Sequence, residues 1–486
     1  MKRTSRFAFV GLAAMIIIGL VISPVVAAST TKTLSTNYTL VNFGSLTANV
    51  TVQYLTTSGS VWDADNANEV FQIPGSGGQK IIRQYSDTTM TSGQGSAVVT
   101  SDQPLGAVVQ LQARGQTPTS GAYSGYTVGS QKFYVPLVIR RGASASGTTN
   151  SQIAIQNTGT TATNVTVDFV PSGSYSAFQK TFSGLQPGVS ISYDLDGETN
   201  LALGWTGSAV VSAVAAGGKI AVVSNFFTGA DTMQTFNAFP LESLATKWFI
   251  PLFLSRNSNG LNSPVAVQNL SGSPIAIGGL TMTCTPNAGS ANQSVLNLAN
   301  TSAIANNASY YFNPVSDVTH IPAEWFGSCV INSGSAGVVS FVQLRYVNAP
   351  GNVGAAAYEA IPAGTDPVAF FPLIVKRGGN GFATAVTIQN IGVANALVNL
   401  IYTPSADYAG SQTPVAVNNV PINAGQSIVR NHRQTGGEPT LPNDWFGSLK
   451  VVSNGPPISG FVQLTYYIPT TGDSFMAHNA FTAAVP

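Results

Sequence analysis

Charge is what this sequence lacks most. Only 8% of its 486 residues are Asp, Glu, Lys or Arg, about a third of the usual share. The few basic residues do not cluster, which disfavours a nucleic-acid partner. Histidine is nearly absent: His320, His432 and His478 form no H-x-x-x-H or H-x-H pair and so no zinc signature. They read as loop or strand-face residues. No G-x-S-x-G elbow is present, and no Ser–His–Asp set recurs. The chain is therefore expected not to be an enzyme; an extracellular hydrolase is the most remote reading. No segment carries an amphipathic helical pattern.

Hydrophobic residues make up 44% of the chain, enough to build real cores. Ser, Thr, Asn and Gln fill the place of charge, with 49 Gly and 27 Pro, a composition suited to strands joined by many turns. Lys2, Arg3 and Arg6 precede an apolar run from Phe7 to Ile22; Ser23-Pro24 breaks it, and Val26-Ala27-Ala28 offers a cleavage site before Ser29. Residues 1–28 thus read as a cleaved export signal, and a retained membrane anchor is the lesser alternative. Extracellular or cell-surface localisation follows. Cleavage takes three of the 20 basic side chains and leaves two fewer than the 19 acidic ones.

What remains is repetitive. YVPLVIRRG starts at Tyr134, FIPLFLSRN at Phe249 and FFPLIVKRG at Phe370, with Pro136, Pro251 and Pro372 spaced by 115 and 121 residues. Gln156-Asn157, Gln268-Asn269 and Gln389-Asn390 follow. Four segments carry a Gly-Ser strand, from Gly95, Gly207, Gly327 and Gly447, and then a strand of the FVQL type. A period of this length means whole tandem domains. The boundaries are read as residues 29–131, 132–246, 247–368 and 369–486. Short alternating strands with turn residues between them predict an all-β fold of four tandem immunoglobulin-like antiparallel β-sandwiches. The first unit has no F-x-P-L block of its own, because its start belongs to the export signal. Proline inside the repeated joint strand places it at an edge or at a crossover between sheets.

Trp325 and Trp445 stand in P-x-x-W-F-G-S segments, and Trp205 keeps the tail of that motif. They read as plugs closing the sandwich core; a sugar-stacking platform is the alternative. Cys284 occupies a position held by Tyr54, Phe169 and Tyr402, and Cys329 one held by Ala97, Ala209 and Leu449. Both replacements fall in one unit, so the two positions are expected to touch and, in an exported protein, to form a disulfide. Closing such a loop contributes roughly 4 kcal/mol in the chain-entropy model. Asp63 and Asp65 in one turn, and Asp194, Asp196 and Glu198 in another, are weak calcium candidates; solvated turn acids are the favoured account. No other cofactor or metal is implied. The N-x-S/T triplets, Asn37 and Asn164 among them, follow from composition and mark glycosylation only where a host has the machinery.

The signal sequence with repeated F-V-P-L-like, I-x-V-Q-N-x-G, G-S-A-V-V and F-V-Q-L strands resembles bacterial exported proteins made of tandem immunoglobulin-like β-sandwiches. That resemblance implies a cell-surface role without an established ligand. Only the first unit keeps the S-x-Q-P turn of the fuller pattern, as Ser101–Pro104. The resulting expectation is a non-catalytic structural or adhesive surface protein, a stiff rod of four domains. An array of carbohydrate-binding modules is the alternative. Self-assembly and cell-envelope polysaccharide are the expected partners, with the membrane involved only through an uncleaved N-terminal segment. Three joint strands among four units further suggest that the first unit accepts a strand from a neighbour, unless the lead Ser29–Thr36 fills the gap.

Overall fold

The computed structural model describes residues 18–22, 33–62, 70–113, 118–144, 147–229, 232–347, 354–437, 439–466, 472–473 and 475–482. The cleavage site at Val26–Ala28 and the calcium candidates Asp63 and Asp65 lie outside these residues. The described residues form eight sheets in which every pairing is antiparallel, and none is α-helical. Among the described residues no helix is long and apolar enough to cross a membrane.

Each repeat contributes two sheets with one wiring. In strand order through the unit, one sheet runs fourth–third–sixth–first and the other fifth–second–seventh–eighth. An immunoglobulin domain instead keeps its first two strands in one sheet; here they lie in different sheets. The alternation seen in sequence produces the core directly. In the third strand of the first unit, Ala48–Thr56, the burial pattern alternates until its last two residues, and Val50, Val52 and Tyr54 point inward. Residues of both sheets share one apolar cluster, as Val135, Ile153, Val167, Val211 and Val222 do in the second unit.

The proline-bearing first strands are Lys132–Ile139, Lys247–Ser255 and Val368–Lys376. None is the outermost strand of its sheet. A two-residue strand, such as Phe239–Pro240, pairs alongside the half before the proline. At each proline the register slips, so that Pro136-Leu137, Pro251-Leu252 and Pro372-Leu373 stand opposite one serine each: Ser208, Ser328 and Ser448. The bulge accommodates a residue with no N–H to give the ladder. The first unit, expected to lack this strand, has one: Ile18–Ile22 pairs with Gly95–Ser101.

The rod expected from the sequence is not what forms. The eighth strands, Ser120–Ser124, Thr232–Asn237, Ala355–Glu359 and Met476–Asn479, touch in cyclic order, and the fourth contacts the first. The chain closes into a four-unit ring with these strands around its axis. Small residues permit the approach: a Cβ on Gly121 would lie 2.4 Å from Oγ1 of Thr235. Phe236 stacks on Phe341 of the third unit at 4.3 Å, and Tyr358 on Phe461 of the fourth at 3.9 Å.

One residue ties all four units at the axis. Asp473, fully buried, accepts from the backbone N–H of Met233 at 2.8 Å and of Ala355 at 3.2 Å, while its own N–H donates to Pro118 O at 2.7 Å. Removing such a group leaves buried donors unpaired, at about 1–3 kcal/mol each. Asp473→Ala is therefore expected to lower stability by roughly 2–5 kcal/mol, read as a drop in the thermal midpoint; an unchanged midpoint would contradict this role.

Candidate functional site: the seams and the axis

Every seam between successive units uses the same atoms. The hydroxyl of the Gly-Ser strand donates to a turn carbonyl of the next unit. The pairs are Ser96 to Gly188 at 2.7 Å, Ser208 to Asn307 at 2.5 Å, Ser328 to Gly425 at 3.0 Å and Ser448 to Gly77 at 2.6 Å. The last closes the ring. In all four turns the accepting residue has positive φ, a conformation natural to glycine and tolerated by Asn307. Gln156, Gln268 and Gln389 donate to the same carbonyls at 2.8–3.0 Å, so each of those oxygens takes one bond from either side of its seam.

The neighbouring asparagine has a separate task within each unit. Asn157 Nδ2 donates to Thr161 O and Leu185 O, and its Oδ1 accepts from Gly159 N. Asn42, Asn269 and Asn390 repeat this pattern. The repeated Gln-Asn marker is thus a seam bond followed by a loop clamp.

The cations that end the joint strand also serve architecture. The Arg140 guanidinium donates to the carbonyls of Leu195 and Leu201, Arg256 to those of Pro314 and Ile321, and the Lys376 ammonium to that of Gln434. These loops lead toward the tryptophans. Trp205, Trp325 and Trp445 are at most 2% exposed, with the Trp205 and Trp325 indoles donating to Ser176 O and Ser294 O. Each ring lies over the glycine that follows it by two residues: a Cβ on Gly207, Gly327 or Gly447 would come within 2.6–2.8 Å of the indole. Such burial leaves no face for stacking on a sugar. In the first unit Trp62, from the segment after the third strand, stands over Gly95 at a corresponding 2.7 Å but is only half-buried.

Cys284 and Cys329 sit opposite each other on paired strands, with Cα atoms 4.0 Å apart, and their sulfurs are bonded. The acids of the second unit have protein partners. Asp194 accepts from Asn150 Nδ2 at 2.6 Å, Asp196 pairs with Arg141 at 2.5 Å, and Glu198 meets Lys180 at 3.2 Å and the Tyr193 hydroxyl at 2.7 Å. The Arg141 hydrogen bond holds Asp196 below the usual carboxylate range. Burial works to raise Glu198, but the bonds from Tyr193, Asn200 and Lys180 outweigh it and hold the carboxyl at about 2. Among the described residues no group of three or more His, Cys, Asp or Glu is placed to hold a metal.

Two of the histidines are not surface residues. His432 is 3% exposed beside Thr384 and Tyr402, and His478 is 1% exposed; burial pushes both down to about 4. His320 remains outside, 2.8 Å from Asp317. Clefts are open among the described residues. One, of about 360 Å³, lies beside Trp62, Tyr85 and Met90. Another, of about 310 Å³, lies at the seam of the fourth and first units, lined by Asn37, Arg83, Gln110, Asn380, Asp444 and Phe446. Asn37 Oδ1 is buried without a hydrogen-bond partner.

Sequence reasoning recorded the repeated Gly-Ser pair without giving the hydroxyl a role, although its fourfold recurrence was the available signal. Asp473 and Trp62 carry no repeated signal at all. At the other end of the axis Asn237 bonds Ser124, Glu359 accepts from Asn237 N, and Asn479 bonds Glu359; here the repeated Asn-Ala-Phe of Asn237 and Asn479 was an available signal.

No protein-family model matches the sequence, and no curated protein matches it. Among solved structures, Thermotoga maritima 1070 is similar at 16% identity over 24% of this chain and 97% of its own, with a TM-score of 0.20. A Streptomyces avermitilis alpha-L-rhamnosidase complexed with L-rhamnose aligns at 8% identity over 94% of this chain and 57% of its own, with a TM-score of 0.10. At these scores neither likeness bears on function.

The axis has a titrating group. Burial raises Glu359 from 4.5 to about 7. The folded state then holds more protons than the unfolded state between those values, and this contribution is lost as pH rises through 7. The two depressed histidines act oppositely, their contribution being lost as pH falls from 6.5 toward 4. Glu359→Gln should therefore be more stable than the parent at pH 8, by about 2–4 kcal/mol, and equal to it near pH 4.5. Melting curves at both pH values check this; the same difference at both would remove Glu359 as its source.

Proposed function

We propose that the protein is an exported, non-catalytic structural or adhesive component of the cell surface, made as a closed ring of four β-sandwich units. The observation that carries this reading is that the repeated side chains are consumed in architecture. The serines and glutamines hold seams, the asparagines clamp loops, and the tryptophans fill cores. A catalytic centre would spend positioned acids and histidines on a cleft; here Asp196 and Glu198 are paired with cations and His432 is buried. The disulfide fits an oxidising compartment, and the N-terminal basic and apolar residues fit export.

Carbohydrate recognition is a second reading, moved from the tryptophans to the cleft between the fourth and first units. Its amides, its aromatic wall and the unpartnered Asn37 oxygen favour it. Antibody labelling of intact cells, followed by sedimentation of the purified protein with insoluble envelope polysaccharide, tests both. Surface labelling is expected, with either concentration-dependent self-association or co-sedimentation. A cytosolic protein that does neither would contradict the proposal.

A further inference from the structure

We propose that residues 18–22 remain with the folded protein as the first strand of the first unit, instead of departing with a cleaved leader. The pairing register supports this. Leu20, Val21 and Ile22 stand opposite Val99, Val98 and Ala97 of a Gly-Ser-Ala-Val-Val strand. Phe133, Tyr134 and Val135 stand opposite Val211, Val210 and Ala209 of the same five-residue sequence in the second unit. The N-terminal segment thus repeats the register of an F-x-P-L strand residue for residue.

A second observation comes from spacing. Pro24 precedes Asn42 by 18 positions, as Pro251 precedes Asn269 and Pro372 precedes Asn390. In the second unit Pro136 precedes Asn157 by 21, and the register above sets Ser23 at the proline position, so the block missing from the first unit has a proline within one residue of its expected place, inside the segment that reads as a leader.

Among the described residues no other segment can do this job. The three remaining strands of the kind are each paired within their own unit, so a second copy of the chain has none to lend. Without residues 18–22, Gly95–Ser101 would present an open row of N–H and C=O groups on that side. The same strand carries Ser96, which holds the seam to the second unit. Losing its neighbour would loosen a ring contact as well as a sheet edge.

Two measurements on the full chain decide the matter. Intact mass and N-terminal sequencing of protein recovered from its native location should find an N-terminus upstream of Ile18. An N-terminus at Ser29 overturns the proposal and leaves the export reading standing; a cytosolic location does the reverse. Amide exchange supplies the second. In the unaltered chain residues 97–101 should be as protected as residues 209–213. The double variant Leu20→Pro/Val21→Pro, which removes a ladder donor whichever of the two faces Gly95–Ser101, should raise exchange there at least about tenfold while residues 209–213 stay unchanged. Equal exchange in variant and parent would show that the strand is not part of the fold.

Discussion

Closure depends on four short strands meeting at one axis, and that meeting depends on Asp473. A fully buried carboxylate is costly unless donors surround it. Here the donors are backbone N–H groups of the second, third and fourth units, and the residue's own amide reaches back to the first. The carboxylate keeps these bonds only when the second, third and fourth units are in place, and the backbone of the same residue adds the first. The small side chains of the axial strands, Gly121, Ala122, Ala356, Ala357 and Ala477, then allow the approach that the aromatic stacks of Phe236 and Tyr358 complete.

Outward from the axis the ring is held by four serine–carbonyl bonds, three of them set on a bulge. The Pro-Leu bulge puts two residues opposite one serine, and that serine bonds a carbonyl of the next unit. The carbonyl is available because its residue takes positive φ. A hydroxyl and a turn carbonyl need no charge, which is consistent with a chain so poor in charge. Each such bond contributes about 1 kcal/mol; the seams hold because bonds, apolar contacts and axial strands act together.

Much of this was legible in the sequence. Alternation gave the strands, substitution of an aromatic–small pair by two cysteines located the contact of Cys284 with Cys329, and the size of the tryptophans indicated burial. The ring was not legible, for physical reasons. Its seams use backbone carbonyls, which leave no residue-type signature, and its axis uses Asp473 and Glu359, which have no counterpart in the other units. Trp62 escaped because it stands over its Gly-Ser strand from a different place in the chain. The first strand of that unit escaped because its apolar composition also suits an export signal. The immunoglobulin-like wiring was inferred from unit length and strand count, neither of which determines the order of strands within a sheet.

The central claim is closure of the ring, and small-angle X-ray scattering of the monodisperse protein tests it most directly. A closed ring packed around its axis should approach the radius of gyration of a compact chain of this length, about 23 Å. An extended array of four separate units, with a value about twice that and a long tail in its distance distribution, would contradict the account.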